Sequence, residues 1–482
     1  MAYRYFEKNI RPFRAICNCN FGRQVIYTNK KQITNANIVE ELEKALVIHN
    51  QNAVEIDYLD RYYRGDQPIL YRKKVNRPEV NNKIVMNLAY ELVERKTAEI
   101  CAEPIQYVLR GTDNDKSSQI TELNVTMDSE SKQEVDIDIC RWRSICGTAY
   151  RFIGNDKADG LLDESDFALF SENPIYTFVV YFSNGRPAFS CQIRESENGE
   201  TIYFCYTKGE WFEISEGNIV KSGKNGNGEI PVIEYPNNSR RISDIEITLP
   251  ITDAINTLSS DRINGVEQFV SAWVKFINCE IDKETFRDMR QEGALVVKSN
   301  NKDNRADVDV MCNELNQTEG QVVFDDLFEK FLSIQGLANR QGNTGGDTQG
   351  AVNLRNGHYD AGLRTAINEP ILKKSERMSL KIILNRLRIN RGFTLMPSDI
   401  EIHINHNKLD NMLVKAEVLK ILLDSGIYYK RAIKTVDMFS DSEQVAAESS
   451  KRMELLYPEE IKEKSQIKKV GADNESNINN DI

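Results

Sequence analysis

Two helical stretches on either side of a short excursion constrain this chain more than any other feature. The stretch "LPITDAINTLSSDRINGVEQFVSAWVKFIN" (249–278) sets Ile251, Ile255, Leu258, Val266, Phe269, Trp273 and Ile277 on one broad stripe at helical spacing. Pro250 suits a first helical turn and Thr252 and Asp253 its dipole, so the pattern predicts a helix over 250–278. At 1.5 Å per residue it spans roughly 42 Å. A stripe of that length needs a partner of similar length, and "EGQVVFDDLFEKFLSIQGLANR" (319–340) supplies a second helical pattern. Between them, "ALVVKS" and "ADVDVMC" read as strands around the polar "NNKDNR". The expectation is an out-helix, a small tip over 279–318, and a return helix over 319–338.

After the return helix comes "GNTGGDTQG" (342–350), nine residues without an apolar side chain. A glycine-rich loop between helices invites a phosphate-loop reading. That loop needs Gly-x-x-x-x-Gly-Lys-Ser/Thr behind a buried strand. Here Gly345 and Gly350 have the spacing, but Ala351 and Val352 follow, and no lysine lies between Leu337 and Asn368. The preceding segment has helical period, so nucleotide binding at this loop is rejected.

The remainder is mixed. Residues 1–36 show weak periodicity and are expected to be an irregular arm. From Asn37 the pattern is helical, with Asn37 and Glu40 spaced as a capping box, until Gly65 and Pro68 stop it. A second helix is expected after Asn81, ending before Pro104, and "IQYVL" then reads as a strand. Residues 116–152 are again helical. Over 150–236 the period becomes two: "YTFVVYF" and "PAFSCQIR" flank "SNGR", "TIYFCYT" and "WFEI" flank "KGE", and "IPVIEYPNN" closes the section. One antiparallel sheet is predicted there. A long helix over Ala351–Arg391 should kink at Pro370, "IEIHINH" alternates as a strand, and helices follow to about 457. Residues 458–482 are polar and expected to be disordered. The fold class is therefore α+β.

Chemistry is sparse. Asp325–Asp326 and Glu459–Glu460 are adjacent carboxylates, which leave a helix on different sides and lack a nearby histidine. His403 and His406 are three apart in a strand and face opposite ways. Ser259, Ser260 and Asp261 have no histidine near them. No catalytic residue, metal ligand or cofactor site is predicted, and the chain is read as a non-enzyme. Nine cysteines without any CxxC read as reduced side chains acting as small hydrophobes, and four dispersed histidines are too few to complete a Cys/His zinc site. A net charge of -11 argues against tight grip on nucleic acid, though not against a surface that DNA slides past. No apolar run approaches the 18 residues of a membrane span, and "MAYRYFEKNIRPFRAIC" has no secretory core, so the product is expected in the cytoplasm of the cell that makes it.

The order of elements resembles the portal proteins of tailed double-stranded-DNA bacteriophages, in the family found in many long-tailed phages. The resemblance rests on "YRGDQPI" with "NNKIVMNLAYELVERKTAEICAEPIQY", on "GEIPVIEYPNNSRRISDIEITLPITDAINTLSSDRINGVEQF", and on "NKLDNMLVKAEVLKILLDSGIYYKRAI" with "DSEQVAAES", over roughly residues 40–460. The chain departs at Ala102 and Glu103, where the family often has glycines, at Gln349–Gly350 in place of Ser-Gly, and around Leu409, where a proline is usual.

The resemblance implies a portal fold. After the N-terminal arm (1–36) come a helical and β wing (37–249, with helices over 37–104 and the β subdomain over 150–236), a two-helix stem (250–278 and 319–338) and a small α/β clip (279–318). A tunnel loop (339–352), a long kinked wing helix and strand (353–407), a helical crown (408–457) and the tail follow. It implies a dodecameric ring at a capsid vertex, through which double-stranded DNA passes non-specifically in packaging and ejection, assembled in the host cytoplasm. The implied partners are the terminase large subunit, a head–tail connector or adaptor, and the major capsid and scaffolding proteins, with no membrane. On that mapping Asn343, Thr344, Gly345, Gly346, Asp347, Thr348 and Gln349 line the channel. Ile255, Leu258, Val266, Phe269, Trp273 and Ile277 pack stem on stem, and Arg287, Arg290, Lys298, Lys302 and Arg305 face partners at the clip. The alternative from the residues alone is a non-enzymatic monomeric helical interaction scaffold.

Overall fold

The computed structural model describes residues 22–75, 78–111, 114–154, 165–270, 273–277, 307–311, 317–337, 358–404 and 412–436, with short pieces between 438 and 452. The period-two section forms two sheets where one was expected. Strands β5 (Thr177–Phe182), β6 (Pro187–Glu195), β7 (Thr201–Tyr206), β8 (Glu210–Ser215) and β9 (Asn218–Lys224) make an antiparallel meander, and β1 (Ile26–Thr28) adds to β5 in parallel. A separate sheet sets β3 (Thr148–Gly154) between β10 (Val232–Pro236) and β4 (Ala168–Glu172). The reason is burial. Six of the seven β3 residues are buried, a strand covered on both faces, so it lies in an inner layer. The arm is not wholly irregular either, because a three-residue strand is too short to show a period.

Helix α1 (Ile38–Tyr63) lies against the meander, its Ile38, Leu42 and Ala45 sharing a core with Phe178, Phe189 and Phe212. It has no capping box. The Asn37 side chain turns back to accept from the Thr34 amide at 2.8 Å, and Glu40 pairs with Lys30 and Lys44. Helix α2 (Leu88–Cys101) begins later than its sequence pattern suggested, because residues 81–87 are committed elsewhere. Strand β2 (Gln106–Leu109) pairs antiparallel with β13 (Ile400–His403), joining the two halves of the chain. Helices α3 (Asn114–Ser129) and α4 (Lys132–Cys146) precede β3. Gly147 ends α4 at φ +85, where an added Cβ would lie 2.0 Å from the Arg241 carbonyl oxygen, so only glycine fits.

Helices α5 (Leu249–Val270) and α6 (Gln317–Gln335) pack on each other. The predicted single helix over 250–278 is corrected: it stops at Val270, and β11 (Trp273–Ile277) pairs antiparallel with β12 (Asp307–Met311). A separation of four, as between Trp273 and Ile277, fits a helical face and an alternating strand equally. The aromatic and β-branched run "WVKFI" tips the balance once a strand partner exists.

Helix α7 (His358–Arg391) continues on both sides of Pro370. Its Leu380, Ile383, Leu384 and Leu387 fill the largest core, with Leu123, Ile139, Phe167 and the β2–β13 pair. Glu376 enters that core with Arg151. Arg151 Nη1 donates to Glu376 Oε2 at 2.9 Å, Tyr235 donates to the same oxygen at 2.8 Å, and Lys132 Nζ stands 3.0 Å from Oε1. Burial alone would raise the Glu376 pKa, but Arg151 and Lys132 outweigh it and hold the carboxyl well below its ordinary range. Beyond α7, Gly426 at φ +81 splits the expected crown helix into α8 (Met412–Asp424) and α9 (Tyr429–Val436).

Candidate assembly and channel surfaces

One face of α5 is polar and buried. Thr252, Asn256, Ser260 and Asn264 recur every fourth residue and are 2%, 1%, 0% and 2% exposed. Three of them accept alternate backbone amides of the 81–87 stretch. Asn264 Oδ1 takes the Asn82 amide at 2.7 Å, Ser260 Oγ the Ile84 amide at 2.9 Å, and Asn256 Oδ1 the Met86 amide at 2.8 Å. Four helical residues rise about 6 Å, and two residues of extended chain cover about 6.6 Å, so the registers match. The stretch is a strap whose backbone hydrogen bonds go to helix side chains instead of a sheet, which explains why α2 starts only at Leu88.

The ladder continues beyond the strap. Asn256 Nδ2 donates to Gln67 Oε1 at 2.6 Å, Gln67 Nε2 donates to Asn87 Oδ1 at 3.0 Å, and Asn87 caps α2 through the Tyr90 amide. Ser260 also donates to the Asn256 carbonyl oxygen at 2.7 Å, so its hydroxyl is spent on structure. Asp261 pairs with Arg72 and Lys74 on the far side of the strap. The i, i+4 recurrence of small polar residues was present in the sequence and could have signalled this face.

The face of α5 next to this one meets α6. Ile255 is fully buried with Phe331, Leu332 and Leu337, and with Leu88 and Leu92 of α2. Phe324, Phe328 and Phe331 stack in sequence along α6, with centroids 6.2 and 6.4 Å apart. Arg262 donates to Gln321 at 3.0 Å and Gln321 to Asp325 at 2.7 Å, tying the helices at their outer side.

The sequence-predicted residues therefore separate. Ile255 is consumed inside its own subunit and offers no surface to a neighbour. Leu258 is half-buried, while Val266 is 46% exposed. On the same two helices Ile263, Val322 and Val323 are 45%, 63% and 51% exposed, which sequence periodicity did not single out. Phe269 belongs to the last turn of α5, and Trp273 and Ile277 to β11. Ile277 pairs with Asp307, so the chain leaves and re-enters the strand pair at one end. Arg287, Arg290, Lys298, Lys302 and Arg305, and the loop residues Asn343, Thr344, Gly345, Gly346, Asp347, Thr348 and Gln349, lie outside the described residues. So do the glycine and proline departures at 349–350 and 409, and the 458–482 tail.

Among the described residues no group of three or more His, Cys, Asp or Glu side chains is arranged to hold a metal ion, and no helix is long and apolar enough to cross a membrane. The carboxylates of Asp325 and Asp326 sit on the exposed side of α6.

Comparison with known proteins supplies the family. The family described as "Phage portal protein, SPP1 Gp6-like" matches residues 42–464. Among solved structures, a chain of the neck of an empty GTA particle, computed with C6 symmetry, is 10% identical, with a TM-score of 0.47 over 78% of this chain and 90% of that one. A chain from the virion of a native gene transfer agent (GTA) particle is 11% identical, with a TM-score of 0.43 over 81% and 92%. No curated protein sequence matches the chain.

Proposed function

The chain belongs to the SPP1 Gp6-like phage portal protein family, and from that membership we propose that it is the subunit of a closed ring, dodecameric, set at one vertex of a phage head. The ring is the conduit for double-stranded DNA in packaging and ejection. It is also the platform on which the terminase large subunit docks first and the head–tail connector later. Subunits associate head to tail, each contact joining two different surfaces, and the ring closes by rotation. The capsid and scaffolding proteins surround it during assembly in the host cytoplasm.

The observation that supports this most directly is the stem. α5 is strapped to its own body by the polar ladder and sealed to α6 by its apolar face, yet Ile263, Val266, Val322 and Val323 remain exposed on the same helix pair. Apolar side chains grouped on a pair of rigid, anchored helices suit a contact with a neighbouring copy. In this reading residues 343–349 ring the channel. Asn343, Thr344, Thr348 and Gln349 offer weak, sequence-independent hydrogen bonds and Asp347 no positive charge, so DNA contacts are shallow and readily broken. The cationic residues Arg287, Arg290, Lys298, Lys302 and Arg305 face the partners at the clip. The chain does no hydrolysis in this scheme, and the motor that docks on it supplies the energy.

Negative-stain microscopy with mass determination over a range of concentrations tests the reading. Rings with an axial hole and twelve copies of the 55.2 kDa subunit, about 662 kDa, are expected. Monomers or dimers at every concentration, with scaffolding protein present, would overturn it in favour of a monomeric interaction scaffold.

A further inference from the structure

Five cysteines lie among the described residues, and all are free and buried. Two pairs are in contact. Cys191 and Cys205 face each other across the β6–β7 register, each 0% exposed within the sheet core. Cys101, the last residue of α2, meets Cys140 in the middle of α4 with Sγ atoms 2.6 Å apart. The second pair differs from the first in access and in electrostatics. Cys140 lines a cavity of about 310 Å³ bounded also by Arg143, Ser144, Ile334, Leu372 and Ile404. At roughly 30 Å³ per water molecule, such a space admits a small polar oxidant.

The two thiols are not equivalent. Cys140 lines the cavity and Cys101 does not, while either sulfur can donate in the hydrogen bond between them. Burial opposes ionisation at both, and the Arg143 guanidinium favours an anion at both. A thiol on the cavity side with a second thiol in contact behind it is the arrangement of an attacking and a resolving cysteine.

We propose that Cys101 and Cys140 are a modification site, a thiol pair that closes to a disulfide when the protein passes from a reducing to an oxidising medium. With hydrogen peroxide as oxidant, the Cys140 thiolate attacks one peroxide oxygen and the oxygen–oxygen bond breaks, leaving a sulfenic acid on Cys140 and hydroxide in the cavity. Cys101 then gives up its proton and attacks the Cys140 sulfur. The sulfur–oxygen bond breaks and a second hydroxide leaves, and the protons released by the two thiols convert both hydroxides to water. Two thiols and one peroxide become one disulfide and two waters. The new bond ties the end of α2, whose Leu88 and Leu92 lie under the stem seam, to α4 beneath the central sheet. The inference is independent of ring formation, so it stands or falls separately from the portal reading.

The test is limited peroxide treatment of the full chain, followed by alkylation of remaining thiols in denaturant and peptide mapping without reduction. The expected result is joint loss of two thiols as one linked Cys101–Cys140 peptide pair, while Cys191 and Cys205 still alkylate. The melting midpoint should rise by about 4 °C and return on adding reductant. Three outcomes would overturn the proposal: both thiols retained at doses that oxidise exposed methionines, Cys140 recovered as sulfinic acid with Cys101 still free, or Cys191–Cys205 linking first. In Cys101→Ala the same dose should carry Cys140 past the sulfenic stage. If that variant does not fold, the map of the unaltered chain decides.

Discussion

Asn256→Ala removes the centre of the ladder that fixes the stem to the body. The side chain accepts from the Met86 amide at 2.8 Å and donates to Gln67 Oε1 at 2.6 Å. Gln67 is fully buried, and its amide nitrogen is already committed to the Tyr62 carbonyl oxygen and to Asn87. Flipping the amide would sacrifice those bonds to rescue one. The variant therefore leaves a buried acceptor without its donor, costing about 1–3 kcal/mol, and frees a strap amide worth about 1 kcal/mol more. A total near 3 kcal/mol corresponds to roughly a 100-fold change in the opening equilibrium of the strap. Hydrogen exchange read on peptides covering 81–87 should show that loss of protection, with peptides from β6 and β7 unchanged. Asn256→Asp sharpens the test, since it keeps an acceptor for Met86 but sets a buried carboxylate oxygen against the Gln67 Oε1 acceptor. Its effect should be at least as large as that of Asn256→Ala. Strap protection within threefold of the parent in Asn256→Ala would refute the claim that these side chains hold the stem.

Three further outcomes follow from the same geometry. Glu376→Gln leaves the buried Arg151 and Lys132 cations with Asp136 as their one remaining shared carboxylate, and the uncompensated charge should cost about 3–5 kcal/mol, read as a fall in urea midpoint. Because the folded Glu376 pKa is depressed, its contribution is present above the ordinary carboxylate pKa and fades as pH falls below it; the Gln variant should lose part of the parent's acid sensitivity. His49 is buried, stacks on Phe178 at 4.4 Å and donates from Nε2 to the Ile175 carbonyl oxygen at 2.8 Å. Burial pushes its pKa down to about 4, with the bond to Ile175 offsetting part of that. Its stabilising effect is complete above pH 6.5 and is lost toward pH 4, by up to about 3 kcal/mol, and thermal melts of His49→Gln should be flatter over that window. Val322→Asp, on an exposed position, should change the melting of the isolated subunit by less than ~0.5 kcal/mol while reducing the ring fraction seen by microscopy. Unchanged ring yield would remove Val322 from the proposed neighbour contact.

What the sequence disclosed, and what it hid, divides along the range of the interactions involved. Periodicity located α1, α5, α6, α7 and the meander strands, because one-sided burial writes itself into local spacing. It merged two sheets into one, because strand order depends on which distant strand β3 meets. The end of α5 was misplaced because Trp273 and Ile277 satisfy both periods, and the partner that decides the matter, Asp307–Met311, lies some thirty residues on. The capping box failed because Asn37 found the Thr34 amide instead. The polar strap is the instructive miss: Asn256 and Asn264 drew no reading and Ser260 was weighed only as a nucleophile, and the clue was their fourfold recurrence along a long helix. Ile255 and Val266 looked alike in one stripe, yet only packing shows that the first is spent within the subunit.

The three faces of α5 also differ in what motion they permit. A ladder of directional bonds to alternate amides has one register. Sliding the strap by one residue would turn all three donating amides away from their acceptors at once. The seam with α6 is fixed as well, by Ile255 packed among Phe331, Leu332 and Leu337 and by the Arg262–Gln321 bond. Exposed valine and isoleucine side chains impose no comparable register, since apolar contact is non-directional. In a ring built from such subunits, each stem would be held firmly by its own body and loosely by its neighbour. Displacement would then fall preferentially between subunits, and the strap, not the stem–stem contact, would set the tilt of the channel wall. Asn264→Ala, which releases the outermost rung beside Glu267, should therefore broaden the distribution of stem tilt in ring images without lowering ring yield, whereas Val322→Asp should do the reverse.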